Sequence, residues 1–293
     1  MPAEGELTLQ AQKVHRDGAR RLELTKEAWR VRGVLRPYVA GQTVTVQFRR
    51  RGKLIHQQTE RVLPYRGGTA GTFLTPYTSR KEGRIAVRAI HRLTPQLEAI
   101  RSAAVRVNIV RPRVGSGGPM VRLLQKGLAK LNYAVPRSGS YDDGTQRAVM
   151  AWRKVTGNAR NYSASEEVVR GVLRGRGAFK VRYPRSGRHV EADISRQVLA
   201  LIKGGKVHRI YHTSTGAPAT PTVLGRFEVY RKDPGTNAIG MVDSSYFIRG
   251  YAIHGYVSVP PYNASHGCLR VPIPNARYIY DWVRMGDVVH VYP

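Results

Sequence analysis

Ile253-His254-Gly255 and, after nine intervening residues, Ser265-His266-Gly267-Cys268-Leu269-Arg270 form the stretch from which the rest of the chain is read. It sets the single cysteine of 293 residues beside two histidines. A thiol is a poor nucleophile until it becomes a thiolate, and a nearby imidazole is the usual device for removing its proton. Gly267 has no side chain, so the backbone N–H groups of Gly267 and Cys268 could approach a substrate carbonyl as an oxyanion hole. A zinc site built from His254, His266 and Cys268 is the competing reading. It lacks a companion His-Glu motif, and one cysteine excludes both a multi-thiolate site and an internal disulfide. No metal or organic cofactor is therefore expected. The connection 256–264 is short and contains Pro260-Pro261-Tyr262, which predicts a stiff, small lid.

Outward from this stretch, strand patterns dominate. Runs at 197–202 and 207–212 flank Gly204-Gly205, a tight hairpin pattern, and strands are expected at 225–230, 247–253 and 287–292. Ala276, Ile279, Tyr280 and Val283 fall at helical spacing, so a short helix is expected over 275–285. His208, His212 and His290 lie in strand-like runs and read as structural. Tyr246 and Tyr256 could line a substrate cleft or fill the core.

Gly171 to Gly177 is basic and glycine-rich and marks a boundary. Before it, Val121, Leu124, Leu128 and Leu131 recur at helical steps, a polar turn spans 138–144, and a second helix runs through Ala148, Val149 and Trp152. Ser163 with Glu166 reads as a capping box ahead of Val168, Val169, Val172 and Leu173. Another break, Arg111-Pro-Arg-Val-Gly-Ser-Gly-Gly-Pro119, precedes these helices. The first hundred residues alternate apolar and polar, as at Trp29, Val31, Gly33 and Leu35 or Val44, Val46 and Phe48, with a charged hairpin connection at 49–53 and further strands through Ile85, Val87 and Ala89 and through Val105, Val107 and Ile109. The expected architecture is multidomain and mainly β. It comprises an N-terminal β-sandwich over 1–112, a small three-helix module over 113–176, and a strand-rich domain with a late helix over 177–293.

The charge is strongly positive, 49 Lys and Arg against 19 Asp and Glu, for a net charge of +30. It is spread along the chain, with 22 basic against 8 acidic residues in 1–112, 12 against 4 in 113–176, and 15 against 7 in 177–293. Such a distribution suits a polyanionic surrounding better than a single nucleic-acid groove, where a local stripe interleaved with aromatics is expected. No stretch approaches the roughly 18 apolar residues of a membrane helix, and 1–9 lacks the features of a signal peptide.

The motif pair is identified as that of the L,D-transpeptidase family, whose catalytic domain carries a His-Gly and a later Ser-His-Gly-Cys. The resemblance covers roughly 188–293 and continues through Ser214-Thr-Gly216, Thr220-Pro221, Gly225 with Phe227, and the closing Gly286-Asp-Val-Val strand. The stretch holding Leu124-Gln125, Leu131, Tyr133, Asp143-Gly144, Thr145, Ala148-Val149 and Trp152 resembles the peptidoglycan-binding module of bacterial wall enzymes. It departs from that pattern at Asn132, where Gly is usual, and at Arg153, where Gln is usual. Arg32-Gly-Val-Leu-Arg-Pro-Tyr38 and Val87-Arg-Ala-Ile-His91 resemble immunoglobulin-like modules that precede wall enzymes.

The resemblance implies Cys268 as nucleophile, His254 as general base with its other ring nitrogen held by the Gly255 carbonyl, and His266 and Gly267 beside the oxyanion donors. Ser265 and Arg270 would support the loop or substrate, with Gly255, Tyr246 and Tyr256 at the substrate. It implies transfer of a peptidoglycan tetrapeptide stem through a thioester, with release of D-alanine and a 3-3 crosslink. Water in place of the amine would make the enzyme an L,D-carboxypeptidase. Implied partners are peptidoglycan, anionic wall polymers and carbapenem β-lactams, with no specific nucleic acid. The implied location is outside the cytoplasmic membrane, after removal of an export leader. A non-catalytic wall-binding protein and a nucleic-acid binder are the alternatives from other classes.

Overall fold

A computed structural model describes residues 1–65 and 67–293. The chain is mainly β, as its patterning predicts, and forms two compact units, Met1–Pro112 and Arg113–Pro293.

The first unit contains β1 (Glu6–Gln12), β2 (His15–Asp17), β3 (Arg20–Leu24), β4 (Ala28–Arg36), β5 (Thr43–Arg50), β6 (Lys53–Arg61), β7 (Leu63–Tyr65), β8 (Ala70–Thr78), β9 (Gly83–His91), β10 (Ile100–Arg101) and β11 (Val105–Val110). One sheet runs β1-β4-β8-β7 and the other β2-β3-β11-β9-β5-β6, with β10 beside β9. The alternation expected from the sequence is what joins them. Trp29, Val31, Leu35 and Phe73 of the first sheet share one core with Val46, Phe48, Val87 and Val107 of the second, and the polar residues between them face out.

The second unit continues with α1 (Pro119–Lys130), α2 (Asp143–Val155), α3 (Glu166–Leu173), β12 (His189–Asp193), β13 (Val198–Lys203), β14 (Lys206–His212), β15 (Gly225–Glu228), β16 (Arg231–Thr236), β17 (Val242–Ile248), β18 (Tyr251–Tyr256), β19 (Leu269–Pro272), α4 (Ile273–Trp282) and β20 (Val288–Tyr292). Its two sheets run β14-β13-β12-β20-β15 and β16-β17-β18-β19. Strand β13 reads Val-Leu-Ala-Leu-Ile because both of its faces are covered. Leu199 and Leu201 enter the core shared with α4 and the four-stranded sheet. Val198, Ala200 and Ile202 enter a second core with Leu124 and Leu128 of α1, Val149 and Trp152 of α2, and Val168 and Val172 of α3. The five-stranded sheet is thus a central layer, with the three helices on one side.

The helical motif is consumed by this packing. Gln125 is buried, and its amide donates to Ser138 Oγ, the Ser140 carbonyl and Thr145 Oγ1 at 3.1, 2.9 and 2.8 Å, while its carbonyl accepts from Gly139 N–H at 2.9 Å. Asn132 takes φ +67, the left-handed conformation that makes Gly usual at this position and that Asn tolerates. Arg153 donates to the carbonyls of Ser163 and Ala159 at 3.0 and 3.2 Å, ordering the loop before α3.

Several local expectations are corrected. The cap of α3 is Ser165, whose Oγ accepts from Val168 N–H at 3.4 Å; Ser163, with its carbonyl engaged by Arg153, lies outside the helix. Helix α2 starts at Asp143, inside the expected turn, because Asp142 caps it through Thr145 N–H at 2.8 Å. The expected strand 247–253 is a hairpin, β17 and β18, turning at Arg249-Gly250. The expected strand 225–230 ends at Glu228 as β15, which pairs with β20, and β16, which pairs with β17 in the other sheet, begins only at Arg231.

Candidate active site

Strands β18 and β19 are parallel neighbours, with Ile253 opposite Leu269 and His254 opposite Arg270. Ile253, Leu269 and Val271 point into the core with α4. Side chains alternate along a strand, so Ala252, His254 and Tyr256, with Cys268 and Arg270, share the opposite face. Cys268 stands one residue ahead of β19, level with Ala252, whose N–H donates to Sγ at 3.5 Å. With strands about 4.8 Å apart and residues about 3.3 Å apart along them, the His254 and Cys268 Cα atoms lie about 8 Å apart across the diagonal.

His254 is 3% exposed, and its Nδ1–H donates to the Gly255 carbonyl at 2.9 Å, which leaves the Nε2 lone pair as the basic atom. Burial pushes its pKa down to about 4, with Arg270 acting in the same direction against the Gly255 carbonyl. The half-buried Cys268 thiol is pushed up by burial, a shift that the Ala252 N–H and Arg270 oppose. Both groups are therefore neutral at pH 7, a thiol beside a free imidazole.

The turn that carries Cys268 is stapled by Ser265. Its buried Oγ accepts from Gly267 N–H at 3.1 Å and donates to the Cys268 carbonyl at 2.7 Å. Gly267 has φ +110, and a Cβ there would stand 2.4 Å from the Tyr251 ring, so only glycine fits. The expectation that Gly267 and Cys268 both supply oxyanion donors is corrected on this point. The Gly267 N–H is already engaged by Ser265, leaving the Cys268 N–H.

Arg270 lies over the Tyr256 ring, 4.1 Å from its centroid, and donates to the Ala264 carbonyl at 3.3 Å. Tyr256 meets the His254 ring edge-on at 5.7 Å. Tyr246 is buried with Met241 and Ala252 against Cys268, and the Arg231 guanidinium covers its face at 3.9 Å. His266 is exposed, whereas His254 is buried. Gly255 faces α4, where a Cβ would approach Ala276 Cβ to 2.7 Å; its part in the cleft is its carbonyl. Among the described residues, no group of three or more His, Cys, Asp or Glu side chains is placed to hold a metal ion.

The lid segment is tied down by the Ser214-Thr-Gly216 stretch. Ser214 Oγ donates to the Tyr262 carbonyl at 2.6 Å, Asn263 to the Gly216 carbonyl at 3.2 Å, and Ser265 N–H to the Thr215 carbonyl at 2.9 Å. Sequence reasoning missed a further tie. Lys154 of α2, 2% exposed, donates to the carbonyls of Gln197 and Thr213 at 3.1 and 2.8 Å and to His212 Nδ1 at 2.8 Å. His212 Nε2–H then donates to the Val259 carbonyl at 2.8 Å, inside the lid. A lysine on the apolar side of an amphipathic helix was the one available sign.

Residues 187–291 match the YkuD family, the L,D-transpeptidase catalytic domain. The chain is 27% identical over 121 residues to L,D-transpeptidase 1 of Mycobacterium tuberculosis, a match covering 34% of this chain and 48% of that protein. It is 30% identical over 124 residues to L,D-transpeptidase 2 of the same organism, covering 34% of this chain and 30% of that protein. The match thus spans half or less of these curated relatives. The crystal structure of the L,D-transpeptidase from Xylanimonas cellulosilytica aligns with a TM-score of 0.58 at 33% identity, over 62% of this chain and 97% of that one. The Cys268 turn and the oriented His254 fall inside the matched residues, and by these likenesses the chain belongs to the L,D-transpeptidase family.

Proposed function

We propose that the protein is a cysteine L,D-transpeptidase acting on peptidoglycan tetrapeptide stems. The observation that carries the reading is the commitment of His254 Nδ1 to the Gly255 carbonyl, on the strand beside Cys268 and on the same face. That arrangement aims a free Nε2 at the thiol side of the sheet.

Sγ attacks the carbonyl carbon of the third stem residue while its proton passes to His254 Nε2. The Cys268 N–H stabilises the developing oxyanion. Collapse breaks the bond to the terminal D-alanine, whose amine takes the proton back from His254, and a thioester remains on Cys268. A side-chain amine of a second stem then attacks the thioester and gives its proton to His254, and the returning thiolate is reprotonated. The product is a 3-3 crosslink. Because thiol and imidazole both start neutral, proton transfer accompanies attack.

Arg270 and Tyr256 hold the imidazole in place, and Tyr246 packs beside the sulfur. Residues 113–176 dock peptidoglycan, and the +30 charge holds the enzyme to anionic wall polymers outside the cytoplasmic membrane, an attraction that salt weakens. Carbapenems acylate Cys268 in place of the stem.

The test is intact-protein mass after mixing with a disaccharide tetrapeptide. A gain equal to the donor minus D-alanine, absent in Cys268→Ala and slowed in His254→Ala, is the expected result. The absence of both an adduct and free D-alanine would refute the reading. Crosslinked dimer as the final product marks a transpeptidase, and tripeptide alone marks the carboxypeptidase variant of the same first step.

A further inference from the structure

Beyond Tyr256, the catalytic face adjoins a cavity of about 360 Å³ that no step above uses. One wall is apolar, formed by Val257 and Val259 of the lid segment and by Ile273 at the start of α4. Arg147 of α2 and Tyr162 line it as well. His212 contributes a fixed ring, since Lys154 donates to its Nδ1 and its own Nε2–H donates to the Val259 carbonyl.

Arg147 is half-buried, and among the described residues its Nε has no hydrogen-bond partner. A buried guanidinium N–H left unpaired is costly, and a carboxylate is the group whose geometry and charge answer it. The cavity's own carboxylate, Asp143, is exposed to solvent and offers Arg147 no ion pair among the described contacts. A cationic side chain, one apolar wall and a volume at the small end of ligand pockets suit the carboxylate end of a short peptide.

Position along β18 decides which peptide. Ala252 marks the sulfur, His254 lies two residues on, and Tyr256, at the cavity, two further. At about 3.3 Å per residue, the cavity begins about 13 Å from Cys268, on the far side of the base. The donor's terminal carboxylate lies one residue from the carbonyl under attack, within about 4 Å of chain, and cannot span that gap. An acceptor can: its amine approaches the thioester past His254, while its chain end lies beyond Tyr256.

We propose that this cavity holds the free carboxylate end of the acceptor stem, with Arg147 as its anchor, a reading that rests on the transpeptidase function above. The test uses full-length Cys268→Ala protein, with and without Arg147→Gln, titrated calorimetrically with a stem peptide bearing either a free or an amidated C-terminus. Arg147→Gln should weaken the free-carboxylate peptide at least tenfold and the amidated one less than twofold, with Arg147→Lys in between. Equal weakening of both peptides, no weakening, or no binding to the Cys268→Ala protein overturns the proposal. Acylation of unmodified protein, followed separately by mass, tests the underlying reading. If Cys268 is never acylated, the transpeptidase function fails, while the titration still decides the cavity.

Discussion

Replacing Lys154 by Met should remove a pH dependence of folding that one buried amine imposes on the second unit. Burial pushes the Lys154 pKa down to about 6, with the Arg160 charge acting in the same direction. In the unfolded chain it returns to about 10.4. Between those values the unfolded chain holds a proton that the folded chain lacks, so stability rises with pH across the window and the slope vanishes below it. The slope is about 1.4 kcal/mol per pH unit, or about 2.7 kcal/mol between pH 7 and pH 9. The His212 imidazole, held down to about 3 chiefly by burial and then by Lys154, has finished titrating below this range. Urea unfolding of full-length protein carrying Trp29→Phe leaves Trp152 and Trp282 to report the second unit. Groups common to both proteins cancel in the difference between the parent and Lys154→Met. Parallel stability curves from pH 7 to 9 would refute the reasoning. They would mean that the three acceptors around Nζ keep the folded amine charged against the cost of burial.

Gly267→Ala should abolish acyl-enzyme formation while far-UV circular dichroism stays unchanged, because the methyl meets the Tyr251 ring and the nucleophile turn must shift. Alkylation of Cys268 by iodoacetamide should be slower at pH 7.5 than that of a free thiol and should still be accelerating above pH 9, since burial raises the thiol pKa; a plateau near pH 8 would contradict this. Gln125→Leu should cost about 1 to 3 kcal/mol in urea unfolding, because it removes a buried amide, leaves the Gly139 N–H without its acceptor and takes from the Ser140 carbonyl its shortest donor.

The juxtaposition of Cys268 and His254 was legible because they sit in two contiguous motifs that β pairing brings side by side. The hairpin at Arg249-Gly250 was not, since Tyr246-Phe247-Ile248 and Tyr251-Ala252-Ile253 read as one apolar run around a residue that takes φ +48. Ser163, with Glu166 three residues on, has the better local capping pattern, yet Ser165 caps the helix while Arg153 takes the Ser163 carbonyl from outside. His266 lies only two residues before Cys268 and yet is exposed, because the two are joined by a turn ahead of β19 in which Gly267 takes φ +110, so strand alternation does not set their faces. Lys154 and His212 lie 58 residues apart, and no periodicity joins a helix lysine to a strand histidine. The Gly267 N–H reads from sequence as an oxyanion donor, and the Ser265 hydroxyl that captures it reaches it only once the turn is folded.

Strand β13, covered on both faces, has a consequence for how this protein can be taken apart. A fragment trimmed to the matched residues 187–291 would uncover Val198, Ala200, Ile202 and Ile210 to water in one patch. Contiguous apolar surface of that kind drives self-association. The helices preceding the matched segment therefore behave as a built-in lining, and expression of the catalytic part without them should yield insoluble protein. By the same reasoning, a relative grafted onto foreign helices would need to match the side chains of this seam before its nucleophile turn could settle.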